Sequence, residues 1–186
     1  MMFVNTVFFA AAALASLVSA TNTVEFVNQD DTIRHIVFTG QSGMSELADI
    51  TIEGKGTATQ SFSTGWIGNW YSYNDGQYSD FGMLGEVRFD GSDGLVYFDV
   101  SALINSTDTE GVKMMYPNDQ NPSASSSTVS GCQTSPCENQ YNEWDDVATK
   151  ATNNSDLVCL IGNVATTTRR GAARLYSRDF VTGESS

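Results

Sequence analysis

The chain of 186 residues holds a single histidine, His35, and only three cysteines, Cys132, Cys137 and Cys159. One histidine leaves no Ser-His-Asp triad and no histidine-rich metal site. His35 lies in the alternating run "TIRHIVF", where a surface or half-buried strand residue is a simpler reading than a base. Cations are scarce too: nine Lys and Arg stand against 22 Asp and Glu, for a net charge of -13. Binding to nucleic acid or an anionic membrane needs Lys and Arg to neutralise phosphate, so neither partner is expected. Asp30-Asp31 and Asp145-Asp146 are acidic enough to attract calcium, but their spacing matches no EF-hand loop, and no metal or cofactor is expected.

Long apolar runs are missing outside the first twenty residues. Those residues, "MMFVNTVFFAAAALASLVSA", carry no charge and end in Val18-Ser19-Ala20, which predicts a secretory signal over residues 1–20 cleaved after Ala20. The run is short for a bilayer span of about 20 apolar residues. The product is expected to be secreted, extracellular and monomeric. It divides into one domain, residues 21–165, and a tail, residues 166–186, where alternation fails and Arg169, Arg170, Arg174 and Arg178 gather. The tail is expected to be flexible or clipped. Secretion also makes Asn105-Ser106-Thr107 and Asn153-Asn154-Ser155 expected glycosylation sites, at Asn105 and Asn153, on exposed loops.

What the sequence has in plenty is Thr, Ser, Gly, Asn, Val, Phe and Tyr, in short alternating runs separated by turn signals. That texture predicts an all-β sandwich of antiparallel Greek-key or jelly-roll type. Strands are expected over residues 23–28, 32–38, 49–52, 57–62, 66–72, 85–89, 95–101, 112–116 and 157–161. The stretch "NPSASSSTVSG" reads as a surface loop, and "NEWDDVATKA" as one or two helical turns.

The segment "GEVRFDGSDGLVYFDVSAL" sets acids inside apolar runs. Alternation puts Glu86 and Arg88 on one face of a strand and Val87 and Phe89 on the other. In the next strand Val96, Phe98 and Val100 face inward, leaving Tyr97, Asp99 and Ser101 opposite. Both apolar sets reach one core only if paired residue numbers sum to an odd value, which a four-residue loop from Gly91 to Gly94 satisfies. That register places Glu86 across from Asp99 and Arg88 across from Tyr97. Facing carboxylates about 5 Å apart at Cβ repel unless something uses or neutralises them; Arg88, diagonal to Asp99, is the nearest cation.

The same region resembles the thaumatin-like family, and the resemblance extends further. "LGEVRF", "GLVYFDVS" and "GVKMMYP" follow the order of that family's central signature. "TVEFVNQDD" is similar to its opening strand, "GNWYSYNDG" to its tryptophan-containing strand, and "SGCQTSPCENQYNEWDDVATKATNNSDLVCLIG" to its closing segment. The likeness is nearest to short secreted fungal members. It implies an acidic cleft lined by one arginine, one glutamate and three aspartates, which in many members binds β-1,3-glucan and in some hydrolyses it weakly. Carried over by motif, the glutamate is Glu86 and the first aspartate Asp99. The last falls on Asp145, beside Asp146. Asp108 stands nearest the place of the middle one. Leu84 occupies the arginine's place, with Arg88 as its substitute.

The resemblance therefore implies a polysaccharide ligand held by Glu86, Arg88, Tyr97, Asp99, Asp145 and Asp146. Sugar faces would stack on aromatics from "GWIGNWYSYNDGQYSDF", among them Trp66, Trp70, Tyr71, Tyr73 and Tyr78. Core packing of alternate residues is the competing reading for those rings. Two further functions stay open: a weak endo-β-1,3-glucanase with Glu86 and Asp99 as its carboxylate pair, and a non-enzymatic effector that meets a host or other extracellular protein. The family's first cysteine, partner of the one in the last strand, is replaced here by Asp30 or Gln29. Cys132 and Cys137 are expected to bridge, leaving Cys159 in "LVCLI" as a buried free thiol.

Overall fold

The computed structural model describes residues 22–77, 81–120, 122 and 127–164. The expected signal, the tail and Tyr78 lie outside them. Among the described residues there is no α-helix, and no helix long and apolar enough to cross a membrane.

Eleven strands form in the order β1 (Asn22–Asn28), β2 (Arg34–Gly40), β3 (Ile50–Ile52), β4 (Thr57–Phe62), β5 (Ile67–Asn74), β6 (Leu84–Arg88), β7 (Val96–Ser101), β8 (Val112–Pro117), β9 (Ser130–Gly131), β10 (Lys150–Thr152) and β11 (Asp156–Ile161). They make a five-stranded sheet, β4-β1-β11-β8-β9, and a six-stranded sheet, β10-β7-β6-β5-β2-β3. Every pairing between these strands is antiparallel except one, in which β1 runs parallel to β11 and sets Phe26 beside Cys159. Nine strands fall where alternation predicts them, within two residues at each end. The two extra strands are β9 and β10. Lys150–Thr152 pairs with β7, so the end of "NEWDDVATKA" is extended, and the helical turns expected there do not form.

The sheets pack face to face through the residues that alternation turns inward: Val24 and Phe26 from one, Ile36, Trp70, Val87, Phe98 and Val100 from the other. Phe26 meets Trp70 edge to face at 5.3 Å between ring centroids. The Trp70 indole donates to the Cys159 sulfur across the interface at 3.4 Å. Indoles this large fit because their neighbours have no side chain. A Cβ on Gly85 would stand 2.5 Å from the Trp70 nitrogen, and one on Gly68 2.5 Å from the Trp66 ring. Cys132 and Cys137 form the expected disulfide, and Cys159 is free and buried. Burial pushes the Cys159 thiol up to about 12, so it behaves as a small apolar side chain.

Candidate functional site: an acidic groove on the six-stranded sheet

The β6–β7 hairpin turns through Asp90 (φ 50°), Asp93 (φ 60°) and Gly94 (φ 70°), all left-handed. The Asp90 carboxylate fixes the turn by accepting from the Asn22 side chain at 3.1 Å and from the Gly65 N–H at 2.9 Å. The register is the one parity requires, with Glu86 opposite Asp99 and Arg88 opposite Tyr97. Glu86 also pairs with Asn69 of β5, and Asn69 with Thr39 of β2. Asp99, Glu86, Asn69 and Thr39 thus make a polar row across four strands. Beside it, Tyr97, Arg88 and Ile67 make a second row. Together with Thr149 they line a groove of about 410 Å³ on the outer face of the sheet.

Asp99 is only 8% exposed, although the strand pattern gives it an outward face. The cause is a later segment laid along β7. Tyr141 donates its N–H to Val100 and accepts from the Ala102 N–H. The Thr149 hydroxyl then reaches the second carboxylate oxygen of Asp99 at 3.2 Å. The first oxygen, Oδ1, is buried with no protein donor. Burial foremost, then the charge of Glu86 directly opposite, push the Asp99 pKa up to about 7. A buried carboxyl that holds its proton beside a second carboxylate can both donate to a ligand and accept from it.

Other residues singled out in the sequence lie elsewhere. Trp70 and Trp66 are fully buried, because even-numbered residues of this segment face the core, so Trp70 is not available to stack on a sugar. Tyr71 is buried as well. Tyr73 is half-buried, stacked on His35 at 5.0 Å, and lines a different cavity of about 560 Å³ together with Arg34, Asn105, Asp108 and Glu110. Asp108 is bound into that wall. Its carboxylate accepts the N–H groups of Met83, Glu110 and Gly111, which ties a loop to the start of β6. Asp145 is exposed on the loop before Thr149 and does not line the groove. Asp146 closes that loop on itself, accepting from the N–H groups of Asn142 and Glu143 at 2.8 and 2.9 Å. Those two bonds hold its pKa low.

Of the expected ligand set, the fold gathers Glu86, Arg88, Tyr97 and Asp99, and leaves Asp145, Asp146, Trp70 and Tyr73 outside the groove. Asn69, Thr39 and Thr149 belong to it and carry no motif. Asn69 was within reach of sequence reasoning, since core packing of Trp66 and Trp70 turns the odd positions of β5 outward. Asn105 is half-buried, its amide donating to the Phe81 carbonyl at 2.9 Å, and Asn153 is exposed. His35 bridges Thr51 and Asp75. Asp30 is engaged by the buried Arg34 at 2.6 Å. Among the described residues, no group of three His, Cys, Asp or Glu is placed to hold a metal ion.

Fold and groove together define an all-β protein of two packed sheets, with a carboxylate pair on the open face of one. The chain is 42% identical over 139 residues to the antigenic protein SchS21 of Stachybotrys chartarum, a match that covers 75% of this chain and 93% of that relative. It belongs to the family of that protein. No protein-family model matches the chain.

Proposed function

We propose that this is a secreted, thaumatin-like protein that binds β-1,3-glucan, or a closely related cell-wall polysaccharide, in the groove of the six-stranded sheet. The observation that carries this reading is Glu86 set directly opposite the buried Asp99 at the end of a polar row four strands long. An extended neutral polymer with a hydroxyl on every ring suits such a row. Glu86 accepts hydroxyl protons, Asp99 and Asn69 both donate and accept, and Tyr97 offers a ring face. Arg88 is exposed and, among the described residues, joins none of the ion pairs, so its donors are open to a ligand. The disulfide suits an oxidising compartment, and a relative named for its antigenicity suits a protein met outside the cell.

Binding is favoured over hydrolysis by the burial of Asp99. Glycoside hydrolysis uses carboxyl groups about 5–5.5 Å apart for retention and roughly 6.5–9.5 Å for inversion. Asp99 is only 8% exposed beneath the segment that carries Thr149, which leaves little room at it for a sugar carbon or an attacking water. The test is co-sedimentation with insoluble β-1,3-glucan. Wild-type protein is expected in the pellet, the Glu86→Gln, Asp99→Asn double variant in the supernatant, and no reducing sugar released from laminarin. Equal sedimentation of both proteins would refute the assignment of the groove.

A further inference from the structure

Beside the groove stands a loop whose exposed side chains nothing in the fold explains. Trp144 is 83% exposed and Val147 94% exposed, an unusual expense of apolar surface on a chain this acidic. The loop is built to hold its shape. Tyr141 is fixed to β7 on one side, and Ala148 is buried on the other. The hydroxyls of Tyr141 and Thr149 meet at 2.8 Å and close the base. Asp146 caps the backbone from inside, and the Asn142 side chain donates to the Cys137 carbonyl at 2.8 Å, which braces the loop on the disulfide-closed segment. Gln140 reinforces the brace by donating to both Ser135 and Asn142. Its base residue, Thr149, is also a wall of the groove and the partner of Asp99.

We propose that residues 142–148 form a second binding element for the polysaccharide held in the groove, with Trp144 as a stacking platform beyond the Asp99 end. The proposal rests on the glucan reading of the groove. Continuity through Thr149 argues for the same ligand: the residue that bonds Asp99 and lines the groove is also the base of this loop. The ring is presented on a braced backbone, so stacking on it costs little ordering. The adjoining Asp145 and Glu143 are both exposed and offer acceptors for the hydroxyls at the edge of a stacked ring.

The chain has three tryptophans, and Trp66 and Trp70 are fully buried, so emission that acrylamide quenches reports Trp144. Laminarin titrated into the full chain is expected to protect that emission from quenching and shift it to the blue. Calorimetry with laminarin should show Trp144→Ala binding about tenfold weaker than wild type. Trp144→Phe should recover part of the loss, and Asp146→Ala, which keeps the ring but frees its backbone, should fall between. Wild-type binding with unchanged quenching, together with Trp144→Ala within twofold of wild type, would overturn the proposal and leave the groove standing. No laminarin binding by the wild type would overturn both.

Discussion

Asp99 shows how a residue's sequence position and its chemistry can diverge. Alternation assigns it to an outer face, yet the segment carrying Tyr141 and Thr149 covers it and drives its pKa to about 7. A carboxyl that binds its proton more tightly folded than unfolded adds stability at low pH and loses it as pH rises. With an ordinary value of 3.8 in the unfolded chain, the contribution is whole below about pH 4 and lost as pH passes through 7. Thermal unfolding should therefore fall from pH 4 to pH 8 in the wild type. Asp99→Asn keeps the shape, offers Glu86 a permanent donor, and should flatten that dependence while raising the melting temperature at pH 8. An unchanged slope in the variant would place the titration on another group.

At the scale of elements, the β6–β7 hairpin is held by its turn as much as by its ladder. Asp90 adopts φ 50° and pins the turn to β1 and to Gly65, so Asp90→Ala loses two hydrogen bonds and keeps the backbone strain. The expected cost is roughly 1–2 kcal/mol in urea unfolding, with Asp90→Gly less harmful because it relieves the strain. A smaller loss in Asp90→Ala than in Asp90→Gly would contradict this account. The hairpin is also where the sequence was most legible. Two alternating runs and one parity condition settle which residues face each other, and the Glu86–Asp99 pair follows without any knowledge of the rest of the chain. Strands β9 and β10 were not legible, because β9 is two residues at the end of a stretch that reads as a surface loop and β10 begins inside a stretch that reads as helical turns. The lid over Asp99 and the distribution of Asp108, Asp145 and Tyr73 away from the groove depend on contacts between distant segments, which no local pattern encodes. Trp66 and Trp70 were ambiguous for a simpler reason: an aromatic at every fourth position serves a core or a sugar equally well until the other side of its strand is known.

For the whole molecule, the parallel pairing of β1 with β11 decides what must be present for folding. β11 lies between β1 and β8, at the middle of the five-stranded sheet, and nearly all of it is buried. A chain ending at Ser155 loses that middle strand and leaves β1 and β8 without a shared neighbour. It is expected to be digested by protease at native conditions, where the full chain resists; a resistant fragment of that length would show that the sheet closes without β11. The same pairing sets a clock on synthesis. Thr23 bonds Asp156 across 133 positions of sequence, so a ribosome that has already delivered β1 must add all of that chain before its parallel neighbour exists. Long-range closure of this kind slows folding. Until β11 emerges, one edge of β1 and one edge of β8 stay open to whatever other strand comes by, and the nascent chain is most prone to aggregate in that interval.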